Sequence, residues 1–358
     1  MAYTTIDDPS AHFQVVTYTG AGNSSSVTFG GNSDLQPDWL WVKRRNSSDN
    51  SKVFDTSRGI GSGNEPYLTT VSTEQEQTYA YLTSVDSDGF TWDTVDSSVG
   101  ASSNTYVAWA WKANGGSTTT NDASATSVGT IDSVIQANTT AGISIVTHTG
   151  TGSAGNIAHG LGAVPQWILT KNRSDSASWA NYHASVGNEY YLELDTYDAR
   201  ETASSVWGDT TPSSTTFRVG GANTKNNSSS DNFVSYCFTP IKGYSHFGSF
   251  TGTGGTTTGA RIYTGFKPAF VIIKRSSGIA DWNIFDSKRP YSFNEANGRL
   301  RANDNTAEGT SDAGIDLLSN GFKCRLGSEF NADGTTNIYI AFAESPFVSS
   351  KGTPTTAR

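Results

Sequence analysis

Cysteine is nearly missing from this chain: Cys237 and Cys324 are the only two in 358 residues. The repeat alignment below places them in different copies, which excludes a disulfide framework and leaves both as small buried apolar side chains. Charge is also scarce, at 16% of residues, and its balance is −9. A chain that repels phosphates and anionic headgroups is not expected to bind nucleic acid or a membrane surface. Apolar runs are short; Ala269–Ile273 is among the longest, far below the roughly 20 residues of a bilayer-spanning helix. The opening MAYTTIDDPS has neither a basic nor an apolar signal region, so synthesis in a cytosol without a secretory signal is expected. Ser, Thr, Asn and Gly are plentiful, and aromatics make up 11%. That mixture describes short strands with bulky core residues, joined by polar turns.

Self-similarity organises the rest. A Thr-Gly-x-Gly segment preceded by an aromatic ring occurs at Tyr18–Gly22, His148–Gly152 and Phe250–Gly254. From its first Gly, a proline follows after 17, 15 and 16 residues, at Pro37, Pro165 and Pro268. These prolines open PDWLWVK, PQWILTK and PAFVIIK, with Lys43, Lys171 and Lys274 each six residues on. An aromatic stands eleven residues past each lysine, at Phe54, Tyr182 and Phe285, with Gly59, Gly187 and Pro290 five further on. Phe90, Phe217 and Phe322 then precede closing strands that start at Tyr106, Phe233 and Tyr339, separations of 16, 16 and 17.

WLWVK, WILTK and FVIIK are rich in aromatic and β-branched residues and too short for helices. The reading is all-β: three tandem antiparallel β-sandwich repeats of about 100 residues, spanning 13–113, 143–240 and 244–347. Residues 1–12 read as an N-terminal arm, 114–142 as an extended Ser/Thr/Ala-rich linker and 348–358 as a C-terminal tail. The short second junction should hold copies two and three together, with copy one free to sit farther off.

No cluster rises to a catalytic, cofactor or metal site. His148 fills the slot of Tyr18 and Phe250, and His183 that of Asp55 and Asp286, which reads as strand filling and turn capping, since no second His or Cys stands at ligand spacing. Asp86–Gly89, Asp333–Gly334, Asp93 and Asp96 offer oxygens for calcium, but the EF-hand pattern is absent and turn formation explains them. Most tryptophans fall at repeat positions that need only bulk. Trp179 and Trp282, eight residues past the repeat lysine in polar loops, and Trp207 are the candidates for contact with a glycan or partner.

YTGAG, PDWLWVKRR and FDTSRG in copy one, HTGTG and PQWILTKNR in copy two, FTGTG, PAFVIIKRS and WNIFDSKR in copy three, and the ending AFAESPFVSSKGTPTTAR together resemble the repeated β domain of unknown function in tail-fibre-like virion proteins of marine tailed bacteriophages. Copy two departs from the Asp-x-x-Arg-Gly turn, with Val186 before Gly187, and copy three has Pro290 for Gly. The resemblance implies a structural virion protein of the tail fibre or adsorption apparatus, binding other virion proteins and copies of itself as a homotrimer or docked on a ring, with a host surface glycan as a further partner. It carries no catalytic residue and no cofactor. A capsid-decorating or head-fibre protein and a glycan depolymerase are the alternatives.

Overall fold

The computed structural model describes residues 3–60, 64–92, 96–202, 204–289, 295–310 and 314–355; Asp93 and Pro290 lie outside them. The chain is all-β, and its two α-helices there, Ala123–Thr126 and Ser204–Trp207, are four residues each. Each copy builds the same inner sheet. In copy one the opening strand Phe13–Thr19 pairs with the closing strand Thr105–Trp111, then come the lysine strand Trp39–Arg44 and the short strand Lys52–Asp55, all antiparallel. Copy two repeats this order with Ile143–Thr149, Asn232–Phe238, Trp167–Asn172 and Ala180–His183. Copy three repeats it with Ser245–Thr251, Thr336–Pro346, Phe266–Arg275 and Asn283–Asp286. A smaller outer sheet covers one face of each, such as Ser25–Thr28, Gly89–Trp92 and Leu82–Asp86 in copy one. The expected three sandwiches are present.

Both glycines of the Thr-Gly-x-Gly motif have a steric cause. A Cβ on Gly20, Gly150 or Gly252 would lie 2.2, 2.0 or 2.1 Å from a backbone carbonyl oxygen of the loop before the closing strand. Gly22, Gly152 and Gly254 hold φ of 72°, 71° and 67°, where side chains other than glycine are strained.

Register corrects one landmark. Trp39 faces Trp111 and Trp167 faces Phe238, while Phe270 faces Phe342. Asn337 is therefore the counterpart of Tyr106 and Phe233, two residues before Tyr339. A slip of two preserves which face each side chain occupies, so the large-small alternation could not reveal it.

The inner sheets are buried on both faces. Leu40, Val42, Ala108 and Ala110 turn toward copy one's own sandwich core, as Ile168 and Cys237 do in copy two. The opposite faces of all three sheets meet in one shared core containing Trp39, Trp111, Trp167, Tyr236, Phe270 and Phe342. Its rings interlock across copies: Trp39 lies 4.7 Å from Tyr236, Trp111 5.5 Å from Phe342 and Phe238 5.8 Å from Phe342. Two-faced burial is why these strands read as nearly unbroken apolar runs. Copy one does not sit apart; it contacts both others.

The expected extended linker is also corrected. It contains strands Thr119–Asn121 and Ser133–Asn138, the second paired to the opening strand of copy two. Gln136 within it is buried and accepts hydrogen bonds from Thr56 and Ser57 of copy one. Thr119–Asn121 is the polar edge strand of the sheet, and in Ser133–Asn138 Val134 and Ile135 stand side by side, so no apolar alternation marks either. The described residues of the arm pack on the body and on the tail: Ile6 is buried, Tyr3 donates to the Gly265 carbonyl, and Asp7 accepts from Ser350.

Candidate functional site

Contacts between copies recur cyclically, one to two, two to three and three to one, around a pseudo-threefold axis. In the first seam Asp55, at the end of the short strand, accepts from the Tyr236 hydroxyl of copy two at 2.6 Å and from Arg58 Nε at 2.5 Å. Arg58 Nη1 continues to Glu76 at 2.9 Å, and Glu76 takes Nε and Nη2 of Arg173 from copy two, both at 2.8 Å. Burial works against the charge on Arg58, but Asp55, Tyr236 and Glu76 outweigh it and raise its pKa. Burial likewise opposes ionisation of Glu76, yet its two arginines hold its pKa below the usual range.

The third seam repeats this with other residues. Asp286 accepts from Trp109 Nε1 of copy one at 2.9 Å and from Arg289 Nε at 2.7 Å, and the Arg289 guanidinium lies 5.6 Å from the Trp109 ring centre. Glu308 pairs with Arg45 of copy one at 2.5 Å and with Arg289 at 3.7 Å. The second seam keeps the backbone frame but loses the charges. Arg200 N donates to the Ser276 carbonyl, as Glu76 N does to Arg173 and Glu308 N to Arg45. At the positions of the network stand His183, Val186, Arg200, Ser276 and Ile340. His183 is wholly buried and donates through Nε2 to the Tyr339 carbonyl at 3.3 Å; burial depresses its pKa to about 4, so it is neutral.

The other end of the axis is closed by the repeat lysines. Lys43 donates to the Asp304 carbonyl of copy three, Lys171 to Thr73 of copy one and Lys274 to Tyr197 of copy two. All three are buried, which lowers each pKa to about 8.

The three tryptophans expected to contact a glycan or partner are buried within the chain. Trp179 and Trp282 are 0% exposed, and their Nε1 atoms donate across the first and second seams to the carbonyls of Thr69 and Glu193 at 2.8 Å. Trp207 lies in copy two's own core, edge-on to Tyr182. None presents a ring face to solvent. Their loops are polar because they cross a neighbouring copy whose carbonyls need donors, a context that one repeat taken alone does not contain.

The remaining candidates also have structural partners. His148 bonds the Asn226 carbonyl and stacks on Phe233. Asp86 accepts from Ser84 and Thr91, and Asp96 caps Ser98. Cys237 and Cys324 are free and buried, and burial raises both thiol pKa values, that of Cys324 to about 12. Glu193, Asp198 and Glu201 bring carboxylate oxygens within 4.8 Å of one another, but Lys225 and the Tyr191 hydroxyl already contact this group.

Two open grooves stand out among the described residues. One of about 450 Å³ runs along the edge of copy two, past Ser133, Thr149 and Asn232. The other, of about 360 Å³, draws its walls from all three copies at the lysine end of the axis, including Asn50, Ser72, Tyr197, Asp281, Asp304 and Asn305.

These features define a class: an all-β, internally triplicated chain whose copies close on one another through buried seams. The chain belongs to the family described as Domain of unknown function (DUF7483), which matches residues 8–346. That match spans all three copies. No curated protein and no solved structure matches the chain.

Proposed function

We propose that the chain is a structural component of a tailed bacteriophage particle, in its tail fibre or adsorption apparatus, where it binds other virion proteins and reaches the host surface. The motifs quoted above support the particle. The observation that carries the mode of assembly is the closed triplet. The apolar faces that would drive three separate sandwiches to trimerise are consumed inside one chain, and the result presents pseudo-threefold symmetry outward. Of the two assemblies implied by the resemblance, this favours docking of single chains on a symmetric ring of partners. The expected results are a monomer by sedimentation at micromolar concentration, peptides of the chain in purified particles of the encoding phage, and its density at the tail in particle images. Density on the capsid lattice would move the protein to the capsid-decorating class, and absence from particles would end the virion reading.

A further inference from the structure

We infer that the groove at the lysine end of the axis is a carbohydrate site that takes one neutral pyranose unit of a surface glycan. This rests on the attachment reading above and gives it a site.

The groove is built from equivalent positions of the repeat. Asn50 and Asp281 each stand seven residues after the repeat lysine, and Tyr197 and Asn305 are counterparts three residues before the seam residues Arg200 and Glu308. The carbonyls of Asp304 and Tyr197, two groove residues, accept the ammonium groups of Lys43 and Lys274. The lysines are thereby directed into the body, leaving carboxylates and amides to face the groove. Arg301 and Asn303 fix the carboxylates: Arg301 lies 2.9 Å from Asp281 and 3.2 Å from Asp304, and Asn303 donates to Asp281 at 2.8 Å. Their remaining lone pairs are held in place as acceptors, so little ordering is required on binding.

The side chains of Asn50 and Asn305 and the Tyr197 hydroxyl make no hydrogen bond within the chain among the described residues, so they add donors as well as acceptors. Tyr197 is 56% exposed, and Val71 of copy one is the aliphatic residue on the groove wall. An aromatic face with an aliphatic neighbour suits the C–H face of a sugar ring, while fixed carboxylates and amides suit its hydroxyls. About 360 Å³ is room for a single ring. Arg301 and the ammonium groups of Lys43 and Lys274 offset the two carboxylates on the wall, so the groove offers no excess of positive charge to a uronic or sialic acid, and a chain of net charge −9 does not attract one.

The test uses the full chain: saturation-transfer NMR with methyl glycosides of glucose, galactose, mannose and N-acetylglucosamine, and an array of neutral and acidic bacterial oligosaccharides. Binding of at least one neutral glycan is expected, weakened about tenfold or more by Tyr197→Ala and by Asn305→Ala and unchanged by Tyr263→Ala, an exposed ring elsewhere in copy three. Absence of any neutral ligand, preference for acidic glycans, or binding insensitive to both groove variants would overturn the site. Circular dichroism of each variant separates lost binding from lost folding, and Tyr197→Phe, which keeps the ring, should retain most of the affinity. The attachment reading is judged separately by detection of the chain in particles, so either can fail without the other.

Discussion

The first and third seams hold buried guanidinium–carboxylate networks, whereas the second joins the same kinds of strand with none. Five positions differ together: Asp to His183, Arg to Val186, Glu to Arg200, Arg to Ser276, and a hydrogen-bonding aromatic to Ile340. Among the described residues of that seam no intermediate arrangement, such as an unpaired Asp or a lone buried Arg, is present. The physics explains why. An ion pair taken out of water gains little over an apolar contact of similar volume, but either partner without the other is very costly. The network can be kept whole or removed whole. The shared backbone rung, from Glu76, Arg200 and Glu308 to the lysine strand of the next copy, shows that the frame does not depend on the charges.

Removing one partner should therefore give the largest effect. Arg58→Met or Arg289→Met strands a buried carboxylate, and each is expected to lower unfolding stability by about 3–5 kcal/mol, read by urea denaturation. His183→Asp should cost a comparable amount at neutral pH, with a partial recovery in His183→Asp combined with Val186→Arg. A single Arg variant within about 1 kcal/mol of the parent would mean that the network is not desolvated as described.

Acid should separate the seams by pH window. The folded-state pKa of His183 lies near 4 against an ordinary 6.5, so between these values the unfolded chain binds more protons and stability falls as pH falls. A drop of that size corresponds to at most about 3 kcal/mol. Glu76 has its pKa lowered, so its contribution is present above the ordinary carboxylate range and is lost only on further acidification. The stability profile should thus show a limb between pH 6.5 and 4 that is shallower in His183→Gln, and a steeper limb below it. An unchanged upper limb in that variant would show that His183 is already charged in the folded protein.

The smallest effect should come from exchanging a seam entirely. Asp55→His, Arg58→Val, Glu76→Arg, Arg173→Ser and Tyr236→Ile together reproduce the second seam in the first, and the fivefold variant should lie within about 1–2 kcal/mol of the parent or above it, although Arg58→Met alone is expected to be strongly destabilised. The cycle of single and fivefold variants measures the coupling directly. Additivity would sink the account of the network as one unit.

Much of this architecture could be read from the residues. The three copies, the lysine in register and the Thr-Gly-x-Gly turn are fixed by local sterics and by strand composition, which act within a repeat. What escaped reading depends on neighbours. Trp179 and Trp282 sit in polar loops, and only the Thr69 and Glu193 carbonyls of the preceding copy show why a buried indole belongs there. The strand at 119–121 is a polar edge strand, and the one at 133–138 has its bulky apolar residues, Val134 and Ile135, side by side rather than alternating. The closing strand of copy three slipped by two residues because alternation is blind to that shift. The common core had a trace in WLWVK, apolar at both odd and even positions, where a sandwich with one wet face would alternate. The axial groove has no motif, since its residues come from loops far apart in the chain.

Joining three copies in one polypeptide also has a hereditary consequence. In an assembly of three identical subunits, a single codon change appears at every interface at once, and a harmful step is tripled. Here each interface is encoded by its own stretch of gene. One of them can pass through unfavourable combinations while the other two keep the body together, and the outer loops of each copy can be selected separately for what they touch.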